Sequence, residues 1–180
     1  QQQLAAQLPN VLHGVVYAPG SITLKPFNRL QESDFLQDFQ INLLGAVRTL
    51  QTALPALRAA KGASVVLFST VAVQMGFGFH ASIAAAKGAV EGLARSLAAE
   101  WATAHIRVNC LAPSLTDTPL AAHLLATDEK RDASARRHPL QRVGTSEELA
   151  ASALYLLSDG SAWMTGQVLR LDGGMSSLRL

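Results

Sequence analysis

The side chains able to do chemistry gather in three short stretches. Tyr17-Ala18-Pro19-Gly20, Ser69-Thr70, and the run Pro113, Ser114, Thr116 and Thr118 each follow an apolar, β-type segment. Asn42 and Lys87 stand apart, each inside a helical pattern. An asparagine on an apolar helix is costly unless its amide is bonded, so Asn42 reads as a structural tie, a functional group, or both. A hydroxyl at Ser69 or Thr70 is suited to hydrogen-bonding a substrate oxygen. Lys87 offers a positive charge, although a lone helix lysine is more often a solvated one. His80 is able to give a proton near neutral pH, or is a solvent-facing loop residue. Tyr17, one of two tyrosines, is a second candidate donor, or a ring that packs. Cys110, inside the apolar run 108–112, and Tyr155, among leucines, read as core. Trp101 and Trp163 read as packing or interface residues. No His, Cys and acid cluster has metal-ligand spacing, so no metal is expected.

Positioning these groups requires strands alternating with long helices. Val11–Tyr17 and Ser64–Ser69 are short, β-branched and apolar, as buried parallel strands are, and Ile106–Leu111 follows suit. Val168–Leu171 is a final strand closed by Asp172-Gly173-Gly174. Between them, Phe35, Phe39, Leu43, Ala46, Val47 and Leu50 recur at helical steps across 32–60, with Gln31 or Ser33 at the start and Lys61-Gly62 at the stop. Pro55 predicts a kink or a break there. Ser82–Ala102 is a second long helix. Thr118–Leu140 is a polar helical excursion. Thr145 with Glu148 three residues on fits a capping box opening a helix to about Ser158. Helical crossovers between strands predict a parallel sheet with helices on both faces, in a single domain over 1–180. Ligands bind such sheets at the carboxyl ends of the strands, where the three reactive stretches lie.

In this order the motifs resemble the short-chain dehydrogenase/reductase family, across essentially the whole chain. Tyr17-Ala-Pro-Gly20 stands where that family has Asn-Asn-Ala-Gly, and Asn42 in Ile-Asn-Leu-Leu-Gly45 resembles its helical asparagine. Lys87 lies 17 residues beyond Thr70, the family's serine-to-lysine spacing. Arg107-Val-Asn-Cys-Leu-Ala-Pro113 with Thr116, Thr118 and Pro119 is similar to its R-V-N-x-x-x-P-G-x-x-x-T-P segment, with Ser114 at the glycine. Thr165 to Gly174 is similar to its C-terminal strand and turn.

The resemblance implies a Rossmann-like, doubly wound α/β/α fold and an NAD(P)-dependent oxidoreductase acting on a small carbonyl or alcohol. It implies Asn42, Ser69 or Thr70, and Lys87 as catalytic residues. Tyr17, Ala18, Pro19, Gly20, Lys87, Pro113, Ser114, Thr116 and Thr118 are the implied NAD or NADP contacts. In the family a serine orients the substrate, a tyrosine delivers the proton, a lysine lowers the tyrosine pKa and binds the nicotinamide ribose, and the asparagine holds a relay water. Assembly as a homodimer or homotetramer through the two long helices is likewise implied.

Two departures stand out. Four residues before Lys87, at the tyrosine position, is Ile83, which has no proton to give. Nor does a glycine-rich strand-to-helix turn precede Val11; residues 1–10 contain no glycine. The expectation is a chain lacking the family's first strands, and weak dinucleotide binding by the 180 residues alone. The alternative is a non-catalytic, cofactor-binding or structural member.

The bulk composition narrows the field further. With 49% hydrophobic and 16% charged residues, a large core is available and disorder is excluded. Fifteen basic against 13 acidic side chains, with no stripe of alternating basic and aromatic residues, give no nucleic-acid footprint. Residues 62–86 carry no Asp, Glu, Lys or Arg, yet Gly76, Gly78 and scattered polar residues make them strand, loop and helix rather than a membrane span. One cysteine and a start without a basic n-region fit a cytoplasmic protein.

Overall fold

The computed structural model describes residues 2–179. Four parallel strands form the sheet, in the order β1 (Gly14–Tyr17), β2 (Ala63–Phe68), β3 (Ile106–Pro113), β4 (Val168–Leu171). Register runs Gly14 opposite Ser64, Ala63 opposite Ile106, and Cys110 opposite Val168. All carboxyl ends therefore emerge on one side, which brings the three reactive stretches together. The fold is the Rossmann-like parallel α/β arrangement.

Five helices matter for the site: α1 (Glu32–Asp38), α2 (Gly45–Ala59), α3 (Ala81–Trp101), α4 (Asp128–Ala135) and α5 (Ser146–Leu157). Strand alternation divides the core. Val65, Leu67, Val108 and Cys110 face α2 and α3, where Leu50, Leu57, Val90 and Ala94 complete one cluster. Val66 and Leu111 face the opposite way, against Ala153 and Leu156 of α5. Leucines and valines in both clusters are essentially fully buried, each worth ~1.5–3 kcal/mol.

Three local details differ from the sequence pattern. The expected break at Pro55 is absent, since α2 runs continuously through it. Pro55 and Gln51, whose carbonyl loses its partner, both lie on the exposed side, where water serves instead. The irregularity falls earlier, at Phe39–Leu44, which winds as a π-helix and contains Asn42. Strand β1 begins at Gly14 rather than Val11, and Val16 remains 39% exposed at the sheet edge. The excursion over 118–140 resolves into a 3₁₀ segment Pro119–Leu124, capped by Thr118, and then α4, capped by Thr127. The capping box at α5 forms as expected: Glu148 N donates to Thr145 Oγ1 and Thr145 N to Glu148 Oε2. Residues 62–86 become β2, the turn Ala72–Met75, a loop, and the start of α3. No described helix is long and apolar enough to cross a membrane.

Candidate active site

A cleft of about 490 Å³ opens at the carboxyl ends of the strands. Ala18 and Gly20 line it from β1, Ser69 and Thr70 from β2, Pro113, Ser114, Thr116 and Thr118 from β3, and Ile83 and Lys87 from α3. Phe77, Leu115, Leu120 and Leu124 add an apolar flank.

Lys87 is its charged centre. The side chain is buried, and its Nζ donates to Phe68 O at 2.8 Å, leaving two N–H groups free for other acceptors. Burial pulls its pKa down to about 8, partly opposed by the neighbouring Asp38 carboxylate and Cys110. Asn42 faces it across Gly20: a methyl group built on Gly20 would sit 3.4 Å from Asn42 Oδ1 and 3.6 Å from Lys87 Nζ. Asn42 Nδ2 donates to Asp38 O and to Ser21 Oγ, both at 2.8 Å, whereas its Oδ1 is buried without a partner. An orphaned acceptor costs about 1–3 kcal/mol and marks a place for a bound donor.

The two hydroxyls after β2 separate. Ser69 Oγ donates to Glu91 Oε1 at 2.7 Å, on α3, and is committed there. Thr70 Oγ1 makes only long contacts, to Pro113 O and from Ala72 N at 3.4 and 3.3 Å. Tyr17 turns away from the cleft: its hydroxyl donates to Ile41 O at 2.6 Å beneath Gly45, where any side chain would collide with it. Burial raises the Tyr17 pKa, with Arg48 opposing. Pro19 and Tyr17 are not cleft-lining residues, although their neighbours are. Ile83 is 5% exposed and presents only hydrocarbon. His80 also lines the cleft, its Nδ1 bonded to Gly78 O at 2.7 Å.

Sequence reasoning passed over Asp38, which is fully buried and accepts hydrogen bonds from Ser21, Thr23 and Ser82. Its signal was its position one helical turn before Asn42. His138 was also missed. Its Nδ1 donates to Ser134 O and its Nε2 is hydrogen-bonded to Ser114 Oγ at 2.8 Å, fixing a serine that stands where the resembling motif has glycine. Among the described residues no group of His, Cys, Asp and Glu could hold a metal ion.

The residues present suit the nicotinamide–ribose end of a dinucleotide. Lys87 has spare donors, Asn42 a spare acceptor, and Gly20 lies flat against both.

Known proteins place the fold in a class. A family model described as enoyl-(acyl carrier protein) reductase matches residues 2–176. The chain belongs to the short-chain dehydrogenase/reductase family. A tropinone reductase homolog of Arabidopsis thaliana is 36% identical over 157 residues, covering 87% of this chain and 60% of that protein. The 3-oxoacyl-[acyl-carrier-protein] reductase of Chlamydia trachomatis is 37% identical over 150 residues, covering 82% and 59%. Among solved structures, a gluconate 5-dehydrogenase from Burkholderia cenocepacia, in complex with NADP and tartrate, superposes with a TM-score of 0.90 at 27% identity. That match covers 99% of this chain and 69% of the dehydrogenase. The chain thus spans about three-fifths of the length of the curated relatives named here.

Proposed function

We propose that this chain carries the substrate-facing and nicotinamide-facing part of an NAD(P)-dependent oxidoreductase for a small carbonyl or alcohol, with an atypical proton-donor site. The observation that carries this reading is the buried Lys87 ammonium facing the orphaned Asn42 Oδ1 across Gly20. A buried ammonium with spare N–H groups and an unpaired acceptor, facing each other in a cleft, mark a place for a ligand. The named relatives, reductases and a dehydrogenase in complex with NADP, support the same class.

In this reading the nicotinamide, when bound, supplies or receives the hydride. Lys87 holds the ribose hydroxyls through its two free N–H groups. Ala18, Gly20, Pro113, Ser114, Thr116 and Thr118 shape the surrounding walls, and Tyr17 and Pro19 stand outside them. Thr70 takes the substrate-orienting role rather than Ser69, because the Ser69 proton is held by Glu91. Charge developing on the substrate oxygen is stabilised by Thr70 and the Lys87 field in a cleft walled by hydrocarbon. The protein works in the cytoplasm as a homodimer or homotetramer.

Ile83, apolar at the expected tyrosine position, favours a second reading: a non-catalytic member that binds cofactor or serves a structural role. Titrating the full-length protein with NADH and NADPH by nicotinamide fluorescence, followed by a carbonyl panel, separates the two. Expected are micromolar binding, turnover of at least one carbonyl, and loss of both on Lys87→Ala. Binding without turnover, unchanged by Lys87→Ala, would overturn the enzyme reading. The 180-residue chain alone is expected to bind either dinucleotide weakly.

A further inference from the structure

The apolar wall at Ile83 leaves open which group exchanges a proton with the substrate oxygen. Tyr17 is ruled out by its bond to Ile41 O and its place outside the cleft. On the opposite side, Ser21 lines the same cleft as Lys87, Thr70 and Ile83. Its hydroxyl sits in a directed chain: Asn42 Nδ2 donates to Ser21 Oγ at 2.8 Å, and Ser21 Oγ donates to Asp38 Oδ1 at 2.6 Å. With its proton held by a carboxylate and one lone pair taken by an amide, Ser21 Oγ has one acceptor site left, at the cleft.

Asp38 is an unusual residue to find beneath such a site. It is 0% exposed, the one buried residue of a helix whose other residues are exposed or half-buried, and a buried carboxylate is rare unless paired or fully bonded. Its two oxygens receive Ser21 and Thr23 on one side and Ser82 on the other, at 2.6–2.9 Å. Ser82 adjoins Ile83 in sequence, so this hydrogen bond ties the carboxylate to the helix that carries the residue lacking a donor. The facing charges are few. Lys87 on α3 interacts with Asp38. Asp34, one turn earlier on α1, is paired to Lys25 at 2.6 Å, and His80 stands at the start of α3.

We infer that Ser21 is the catalytic residue that exchanges the proton with the substrate oxygen, and that Asp38 acts through it as the positioning residue that takes up Ser21's own proton. The inference rests on the oxidoreductase reading above and names the proton path it left open. In alcohol oxidation the substrate O–H proton passes to Ser21 Oγ, while the Ser21 proton moves along its existing hydrogen bond to Asp38. The C–H electron pair leaves as hydride to the nicotinamide, and the C=O bond forms. Reduction runs the same transfers backwards. Asn42 holds Ser21 in place throughout, and Lys87 offsets the buried negative charge.

The test uses the full-length protein and the best substrate from the carbonyl panel with its matching alcohol. Ser21→Ala is expected to lower kcat by about 10²- to 10⁴-fold. The dissociation constant of the reduced cofactor should stay within about twofold, because Ser21 is not among the residues assigned to hold the cofactor. Ser21→Thr, which keeps the hydroxyl, should restore most of the loss. Asp38→Asn should lower kcat while KM and the cofactor dissociation constant stay within about twofold, and Asp38→Glu, which keeps the carboxylate, should restore part of the loss. Ser21→Ala and Ser21→Thr decide the matter even if Asp38→Asn fails to fold. Unchanged kcat in Ser21→Ala would overturn the proposal and leave the oxidoreductase reading standing. So would a kcat kept in Ser21→Ala and Asp38→Asn but lost in His80→Phe, which assigns the proton to His80. A wild type that turns over no substrate would overturn both.

Discussion

The two walls of the cleft obey opposite physics. One, built from Lys87, Asn42, Ser21 and Asp38, buries charge and polar atoms and binds nearly all of them in directed hydrogen bonds. The other, built from Ile83, Phe77, Leu120 and Leu124, offers hydrocarbon alone. Polar atoms buried in such a setting cost stability, and apolar ones supply it. The difference teaches that the site holds its charge-handling apparatus at a thermodynamic cost, while the position expected to donate a proton contributes only packing. Function and stability should therefore respond in opposite directions when the two walls are cut.

The largest expected effect is on the polar wall. Lys87→Met should lower turnover on the order of 10²-fold or more and abolish tight cofactor binding, measured by steady-state kinetics and fluorescence titration. Retained binding would break the comparison at its centre. Next comes the apolar wall. Ile83→Ala opens a cavity in a buried position and should cost about 2–5 kcal/mol in urea unfolding. Its kcat should change less than about tenfold, because no proton donor is removed. A much larger fall in kcat would show that Ile83 shapes the chemistry after all.

A smaller effect sharpens the sign. Lys87 has its pKa lowered to about 8 from 10.5 by burial. Below pH 8 it is protonated in both the folded and the unfolded chain, so the full burial penalty applies. Between about 8 and 10.5 the unfolded chain binds more protons, and stability rises with pH. The penalty is about 3 kcal/mol, and loss of the bond to Phe68 O offsets part of it. At pH 7, Lys87→Met should therefore be more stable than wild type by about 1–2 kcal/mol, with the gain shrinking as pH approaches 10. A destabilised variant at pH 7 would contradict the desolvation account. The smallest effect belongs to Cys110, in the core beneath the polar wall, whose thiol burial pushes up to about 12. Iodoacetamide at pH 8 should leave it unmodified until the chain unfolds. Rapid labelling of the native protein would show the core open there.

Much of the molecule was legible in advance, for reasons particular to each element. Strands β2 and β4 and helices α3 and α5 ended within one or two residues of expectation. Their apolar runs, alanine-rich pattern and capping box are local signals. Pro55 does not break its helix, because its cost depends on whether the freed carbonyl reaches water, which is a matter of burial. The π-turn at Phe39–Leu44 left no local sign. In the site, Asn42, Thr70 and Lys87 were singled out through the family resemblance, and the structure brings them to one cleft or its immediate wall. Tyr17 was legible as a strand-end residue, but the direction of its side chain was not. Strand alternation and the gap over Gly45 turn it toward α2.

By itself, the sequence determined the periodicities, and with them the parallel sheet, the helices on both faces and the side on which the reactive stretches gather. It also determined that no proton donor stands at position 83. Only the tertiary structure decided which hydroxyl is free and which is tied: Ser69 is held by Glu91, 22 residues away. Only the tertiary structure placed Asp38 against Ser21 and Ser82, 17 and 44 residues away. The reason is one of range. Backbone propensity and hydrophobic pattern act between near neighbours in the chain, whereas a hydrogen bond forms between whichever groups the folded chain brings within about 3 Å.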